Sequence, residues 1–363
     1  MQISYDNGII ISDSQNKIFL DSERSKIPMK YQNIITHAHS DHTSAMGNYS
    51  KSHLTDITLD LYKVTQKTIP NQIETHNYYE CFEIGDFEIE FIKAGHLLGA
   101  IQVVVYHRDT VFLYTGDFCP EPLLTVEQAD LCKKADIISL DTTYGSQTIQ
   151  FDHRDETRNR IFIWIVSEIA KGNIPVIHVA HLGGAQELIK LLNSLTSNLP
   201  VFCHSKISKV NEVYQNYGVS LNYQDISEIQ QNYFSSANAV ILLPRSGKTI
   251  EYINKKFPQL QNKISRGIVT GQTARFGFNS FAMAAPLSTH ASFGELSDFI
   301  LKIRPNHVFT QFGYSEEFAS YLSHQLNIPS QPIYSANNLE SSLLIKSNQV
   351  NNGKKSSLDK YFS

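Results

Sequence analysis

The sequence predicts an α/β protein in which a β-rich N-terminal unit gives way to alternating strands and helices. Short apolar or alternating runs recur through residues 1–120, separated by polar turns. Apolar residues then change to helical spacing, with Ile161, Ile165 and Ile169 on one stripe. Beyond that stripe, short apolar strands and helical segments take turns. That is the rhythm of a mostly parallel sheet with helices on its faces.

Taken in order, the first strands are expected at 8–12, 17–21 and 33–36, with Asp6-Asn7-Gly8 as a turn. Strands at 87–93, 101–107 and 110–115 follow, the last two joined by His107-Arg108-Asp109. A helix over 158–171 opens the second part. It leads to a strand at 176–180, a helix at 185–195, a strand at 201–203, a helix at 208–217 and a strand at 240–243. Strands at 266–270 and 307–311 and helices at 293–302 and 316–326 complete the pattern. No internal repeat is visible. After Ser347 the chain turns polar and reads as a flexible linker.

At 363 residues the chain suits two modest domains or one large domain with an insertion. Hydrophobic residues make up 41% and charged residues 18%, enough to build a core and too apolar for wholesale disorder. No apolar run approaches a membrane span and residues 1–4 do not start a signal peptide, so an intracellular, cytoplasmic protein with no membrane partner is expected. Cys81, Cys119, Cys132 and Cys203 are scattered without a CxxC pair, against both a disulfide scaffold and a thiolate zinc site. The net charge of −4 gives no global sign of nucleic-acid binding. Residues 151–270 nevertheless carry 13 Lys+Arg against 9 Asp+Glu, which fits either a segment facing phosphates or an uneven scatter of solvated charge.

The strongest chemical signal is Thr36-His37-Ala38-His39-Ser40-Asp41-His42, directly after an apolar strand. Three imidazoles and a carboxylate so close together at a strand end can aim several donors at one volume. Such donors suit one or two zinc-class ions that keep a position open for water. Gly95-His96 and Tyr114-Thr115-Gly116-Asp117 place further donors where strands give way to loops. A lone histidine in such a place is ordinarily structural; the whole set is not.

This HxHxDH…H…D pattern resembles the metallo-β-lactamase superfamily. The resemblance implies an αββα sandwich carrying one or two metals. It implies that His37, His39, His96 and Asp117 hold the first ion, and that Asp41, His42 and a bridging Asp117 hold the second. Asp21, in Phe19-Leu20-Asp21-Ser22, matches the acidic motif that supports the histidine loop from behind.

Four further segments are similar to the β-CASP nucleases, a branch with an α/β domain inserted in the catalytic fold, and they run in the expected order over roughly residues 10–340. Ile138–Gly145 delivers Asp141, which matches motif A, although a turn or helix cap would also use an aspartate there. Leu287-Ser288-Thr289-His290 matches motif B. Val179–Leu188 carries a glycine turn before a helix, with Gly184 where the family often has arginine; 201–217 supplies a strand, a polar turn and a helix. The implied layout is a metallo-β-lactamase domain at 1–154 and 266–347, with the β-CASP cap at 155–265.

Motif C departs from the RNA-processing pattern. The strand 307–311 is followed by Phe312-Gly313 where those members carry His-Gly, and phenylalanine cannot ligate a metal. The resemblance then implies one tightly held Zn2+ and a weaker second Zn2+ or Mn2+. An apolar residue here is characteristic of the DNA-directed branch. A 5′-directed DNA exonuclease of replication or repair is therefore expected, with an RNA-processing nuclease of the same fold as the alternative. A catalytically weak scaffold and a small-molecule hydrolase are the remaining readings; the intact donor set counts against the first and the inserted cap against the second. In the implied chemistry Asp41 orients the attacking hydroxide. His290, its tautomer held by Asp141, protonates the leaving oxygen.

The C-terminal segment 348–363 ends in Leu358-Asp359-Lys360-Tyr361-Phe362 behind a polar leader. On a short 3₁₀ turn, Leu358, Tyr361 and Phe362 would form one apolar plug. This is similar to the motif that docks on the DNA sliding clamp, PCNA, with Lys355 at the position usually held by glutamine. Folding back onto its own protein, or no role at all, is the alternative.

Overall fold

The computed structural model describes residues 1–23, 30–66, 68–132, 134–196, 198–230, 233–234, 238–335 and 339–340. The clamp-binding expectation for Leu358, Tyr361 and Phe362 lies outside these residues.

The N-terminal runs form two seven-stranded sheets. The first has Gln2–Tyr5, Ile9–Ser12, Lys17–Leu20, Gln32–Ile34, Lys51–Leu54 and Ile73–Thr75 side by side, with Leu339–Glu340 added beside Gln2–Tyr5. Its first three strands pair antiparallel and the next three parallel. The second runs Ser330–Pro332, His307–Gln311, Ile137–Asp141, Thr110–Tyr114, Ile101–His107, Phe87–Lys93 and Cys81–Ile84.

Alternation decides how the sheets meet. Ile9, Ile11, Ile18 and Leu20 from the first sheet pack against Phe87, Ile89, Phe91, Val103 and Phe112 from the second in one buried cluster. Side chains on one face of a strand repeat every second residue, so each strand commits one face to that interior. Helices cover the outer faces. Phe293–Ile303 and Ser315–Gln325 bury Leu296, Ile300, Phe318 and Leu322 in the same cluster as Ile138, Leu140 and Val308. This is the sandwich with helices outside and an insert that the sequence resemblance implies.

A third, all-parallel sheet of six strands forms the insert, in the order Gln224–Asp225, Val201–Cys203, Val240–Pro244, Ile174–Val179, Ile264–Val269 and Met283–Ala285. Val240 and Leu242 face the cluster of helices Arg154–Ala170 and Gly184–Leu195, whereas Ile241 and Leu243 face Phe257 and Leu260. Both faces are covered, which explains the continuous apolar runs. The sequence-based boundary at 265/266 falls inside strand Ile264–Val269, which pairs with Ile174–Val179 on one side and Met283–Ala285 on the other. The third sheet thus reaches Ala285, because strand periodicity does not say which sheet a strand will join.

Helix Asp56–Thr65, with Thr55 accepting from the backbone N–H of Thr58 at 3.1 Å, was not signalled by periodicity, nor was Gly247–Lys256. Among the described residues no helix is long and apolar enough to cross a membrane.

Candidate metal centre

Strand Gln32–Ile34 ends in buried Ile35 and Thr36, and the chain then bends through His37–His39 into the short helix Ser40–Thr43. One carboxylate ties this bend down. Asp21 has a left-handed backbone, φ 46°, a conformation aspartate tolerates. Its oxygens accept from the Thr36 amide at 2.8 Å, the Thr36 hydroxyl at 2.6 Å, the Tyr114 hydroxyl at 2.9 Å and His42 Nδ1 at 2.7 Å. Two glycines bring the other donors in. At Gly95, φ 70°, a Cβ would lie 2.3 Å from the Cys119 carbonyl; at Gly116, φ 52°, it would lie 2.9 Å from Thr36. Only glycine fits at such positions, and each stands immediately before a donor, His96 and Asp117.

The structure brings His37, His39, His96 and Asp117 together, with one ligand atom from each within 4.8 Å of the others. His37 Nε2 is 2.9 Å from His39 Nδ1, and His96 Nε2 is 3.3 Å from the same atom. Asp117 Oδ2 sits 3.5 Å from His37 Nε2 and 3.6 Å from His96 Nε2. The outer ring nitrogens all have acceptors. His37 Nδ1 meets the Thr36 hydroxyl at 3.0 Å, His39 Nε2 the Leu182 carbonyl at 3.3 Å, and His96 Nδ1 the Thr289 carbonyl at 2.9 Å. An N–H donated outward leaves the inward nitrogen bare, so three lone pairs and a carboxylate converge on one point. That arrangement fits a cation and is poor without one. Burial and the neighbouring histidines hold His37 and His96 well below the ordinary imidazole range, which keeps those nitrogens free of protons.

Asp117 also faces the other way. Its Oδ1 lies 3.5 Å from His42 Nε2, which is itself 3.7 Å from Asp41 Oδ2. This side is open: the Asp41 side chain is 69% exposed. The ring of Phe312 stands 6.1 Å from the His42 ring, where a further donor would close the set. Burial works against charge on His42, yet Asp21, Asp117 and Asp41 overcome it and push the imidazole up to about 10. Burial likewise raises Asp117 to about 6, with His42 and His290 opposing.

His290 approaches from the motif B loop. Its Nδ1 is 2.9 Å from Asp141 Oδ2 and its Nε2 is 3.8 Å from Asp117 Oδ2. Burial disfavours the imidazolium, but Asp117 and Asp141 lift it to about 9. Asp141 also accepts from the Thr143 amide at 2.8 Å, the turn-capping bond anticipated as an alternative, so it serves both groups.

The cap leans over this centre through Leu182. On one side a cavity of about 870 Å³ is lined by His39, Asp41, Lys63, His181, Lys206 and Lys209. On the other, about 270 Å³ is lined by His96, Tyr144, Arg245, Thr270, Ser288 and His290. Sequence reading missed these cations individually. The net positive middle of the chain contained Lys206, Lys209 and Arg245, but charge counting does not show which cations face a groove. It also missed Leu182 and Thr289, whose carbonyls fix two imidazoles; backbone groups leave no mark in side-chain identity.

No family model matches the chain. Over 301 residues, 80% of the chain, it is 26% identical to a probable DNA ligase of Opitutus terrae, of which it covers 28%. It is 28% identical over 209 residues to an RNase J-like protein of Methanocaldococcus jannaschii, matching 51% of the chain and 49% of that protein. To cleavage and polyadenylation specificity factor subunit 3-I of Arabidopsis thaliana it is 26% identical, matching 57% of the chain and 34% of that protein. These similarities, together with the donor pattern, indicate the metallo-β-lactamase superfamily and its β-CASP nuclease branch. A solved structure from Enterococcus faecalis, described as a protein of unknown function, shares the fold with a TM-score of 0.61 at 12% identity, over 91% of this chain and 96% of that one. The chain spans half or less of the length of the curated relatives named above. The six candidate metal donors, Asp141 and His290 all lie around one centre beside Leu182, just beyond a strand of the third sheet.

Proposed function

We propose that this β-CASP chain is a zinc-dependent nuclease that hydrolyses phosphodiester bonds of DNA, a 5′-directed exonuclease of replication or repair. The observation that carries the hydrolytic reading is the pairing of the converging donors with His290, held by Asp141 at 2.9 Å and aimed at Asp117. His37, His39, His96 and Asp117 would hold one ion, and Asp117, Asp41 and His42 a second. When bound, such ions lower the pKa of water and offset charge building up on a phosphate. Asp41, exposed beside His42, is placed to orient the attacking water. His290 donates its Nε2 proton to the leaving O3′, while Asp141 fixes the tautomer and favours the charged ring. Lys63, Lys206 and Lys209 would track the phosphate backbone of a strand laid in the groove.

DNA is favoured by Phe312 in place of a motif C histidine, and by the relative matching 80% of the chain, which is named a probable DNA ligase. The RNA reading is favoured by the names of the other two relatives. Matched end-labelled DNA and RNA oligonucleotides, with 5′-phosphate or 5′-hydroxyl, separate the two during a metal titration. Shortening of DNA from the 5′ end, with RNA much slower, is expected; equal or faster RNA cleavage overturns the substrate assignment. Tethering to the sliding clamp through Leu358, Tyr361 and Phe362 belongs to the same reading. It fails if a chain lacking residues 355–363 is captured by the clamp as well as the full chain.

A further inference from the structure

A second group of side chains able to hold a metal ion lies away from the candidate nuclease centre, at the rim between the two facing sheets. His53 on strand Lys51–Leu54 stands directly opposite Glu74 on the parallel strand Ile73–Thr75. His76 follows Glu74 by two residues, and its amide bonds to the Leu54 carbonyl at 3.0 Å. Partners in register and residues two apart share a face of a sheet, so all three side chains point the same way. One ligand atom from each lies within 4.8 Å of the others. His53 Nδ1 is 2.9 Å from His76 Nε2, the same separation as His37 Nε2 and His39 Nδ1 in the nuclease centre. Glu74 Oε1 is 3.8 Å from His76 Nε2.

We propose that His53, Glu74 and His76 form a second, structural site for a zinc-class divalent cation. Two imidazoles and a carboxylate, with water in the fourth position, are a donor set zinc accepts. The surroundings are arranged as for a ligand. His53 Nε2 is 2.6 Å from the Gln32 amide oxygen, which can only accept; the ring proton therefore sits there and Nδ1 is bare. The His76 ring is fixed by stacking on Phe82, 3.6 Å between centroids and 8° from parallel. His53 and His76 are 2% and 6% exposed, and burial depresses both, so neutral imidazoles meet an incoming ion. Glu74 is half-exposed and supplies the entry route. A cation arriving there would take the place of the bridging proton on His76 Nε2, which moves to His76 Nδ1, and would compete with Lys51 for the Glu74 carboxylate.

Such an ion would pin more than two strands. The segment between His53 and Glu74 carries helix Asp56–Thr65, whose Asp60 accepts a 2.9 Å hydrogen bond from Tyr217 at the end of the cap helix Ser205–Asn216. That same helix holds Lys63 against the groove. The cation would fix one groove wall while touching no part of the nuclease centre.

The test compares the full chain with His76→Ala, Glu74→Gln and Gln32→Leu, each stripped of metal, dialysed against zinc and measured by elemental analysis. The wild type should carry one zinc per chain more than His76→Ala, while nuclease activity at saturating metal is unchanged. Gln32→Leu should weaken the extra site about tenfold or more. Zinc should also raise the melting temperature of wild type more than that of Glu74→Gln, an exposed-edge change that reports even where His76→Ala does not fold. Equal zinc content in wild type and Glu74→Gln, with equal zinc-induced melting shifts, overturns the site and leaves a hydrogen-bonded histidine pair.

Discussion

Asp117 divides the candidate metal centre into two unlike halves. Its Oδ2 faces His37 and His96, both nearly inaccessible, with His39 alongside and every outer ring nitrogen tied to an acceptor. Its Oδ1 faces His42, whose neighbours are a solvent-exposed Asp41 and the ring of Phe312. The first half presents four preorganised donors. The second presents three, one of them, Asp41, exposed to solvent, and His42 must give up a proton that Asp21 and Asp117 hold in place. A cation would therefore gain more on the closed side, so the proposed second ion would be held more weakly through geometry as much as through donor count.

The severest way to break this comparison is to remove the residue both halves share. Asp117→Ala should abolish turnover, by more than the roughly 10⁴-fold upper end of an acid–base contribution, and should release metal from both halves on dialysis. Retention of one ion per chain at the nuclease centre would show that the closed half does not need Asp117.

His290→Ala tests whether the third group sharing Asp117 is an acid or a ligand. Turnover should fall about 10²–10⁴-fold with the nuclease-centre metal content unchanged. The acid form is the active one, so the wild-type rate should drop as pH rises through the His290 pKa. That value is about 9 with no cation bound, and positive charge beside Asp117 can only lower it. The alkaline limb should be missing from the variant. A loss of metal along with activity would make His290 a ligand instead.

The smallest expected effect sharpens the open half. Phe312→His should tighten the second ion on the order of tenfold, about 1.4 kcal/mol, while the first ion is unaffected. In both proteins that affinity should rise with pH up to about 10, because below that the ion competes with the His42 proton. Isothermal titration at two pH values reads both; no tightening in the variant would show that the Phe312 position does not face the second ion.

Much of this was legible in the chain itself. Four of the six candidate donors lie within Thr36–His42, and the remaining two, His96 and Asp117, each follow a glycine at a strand end, so residue type and local pattern sufficed. Strand and helix placement held wherever one face alternated or a stripe repeated, as at Phe87–Lys93 and Gly184–Leu195. Helix Asp56–Thr65 escaped because its buried residues, Thr58 and Leu61, are too few to make a stripe. The strand expected at 266–270 is Ile264–Val269, and its pairing within the third sheet means that the expected boundary at 265/266 cuts through it.

The sequence by itself determined which groups are available and the order in which the chain presents them, because donor chemistry and hydrophobic period are properties of local residues. Only the tertiary structure decided which ring nitrogen of each histidine is bare, since that depends on carbonyls contributed by Leu182 and Thr289 from remote loops. It alone set His53 opposite Glu74, an alignment created by strand register between segments that share no sequence pattern. And it alone turned Asp117 toward two half-sites of different burial, the physical difference from which their unequal hold on a cation follows.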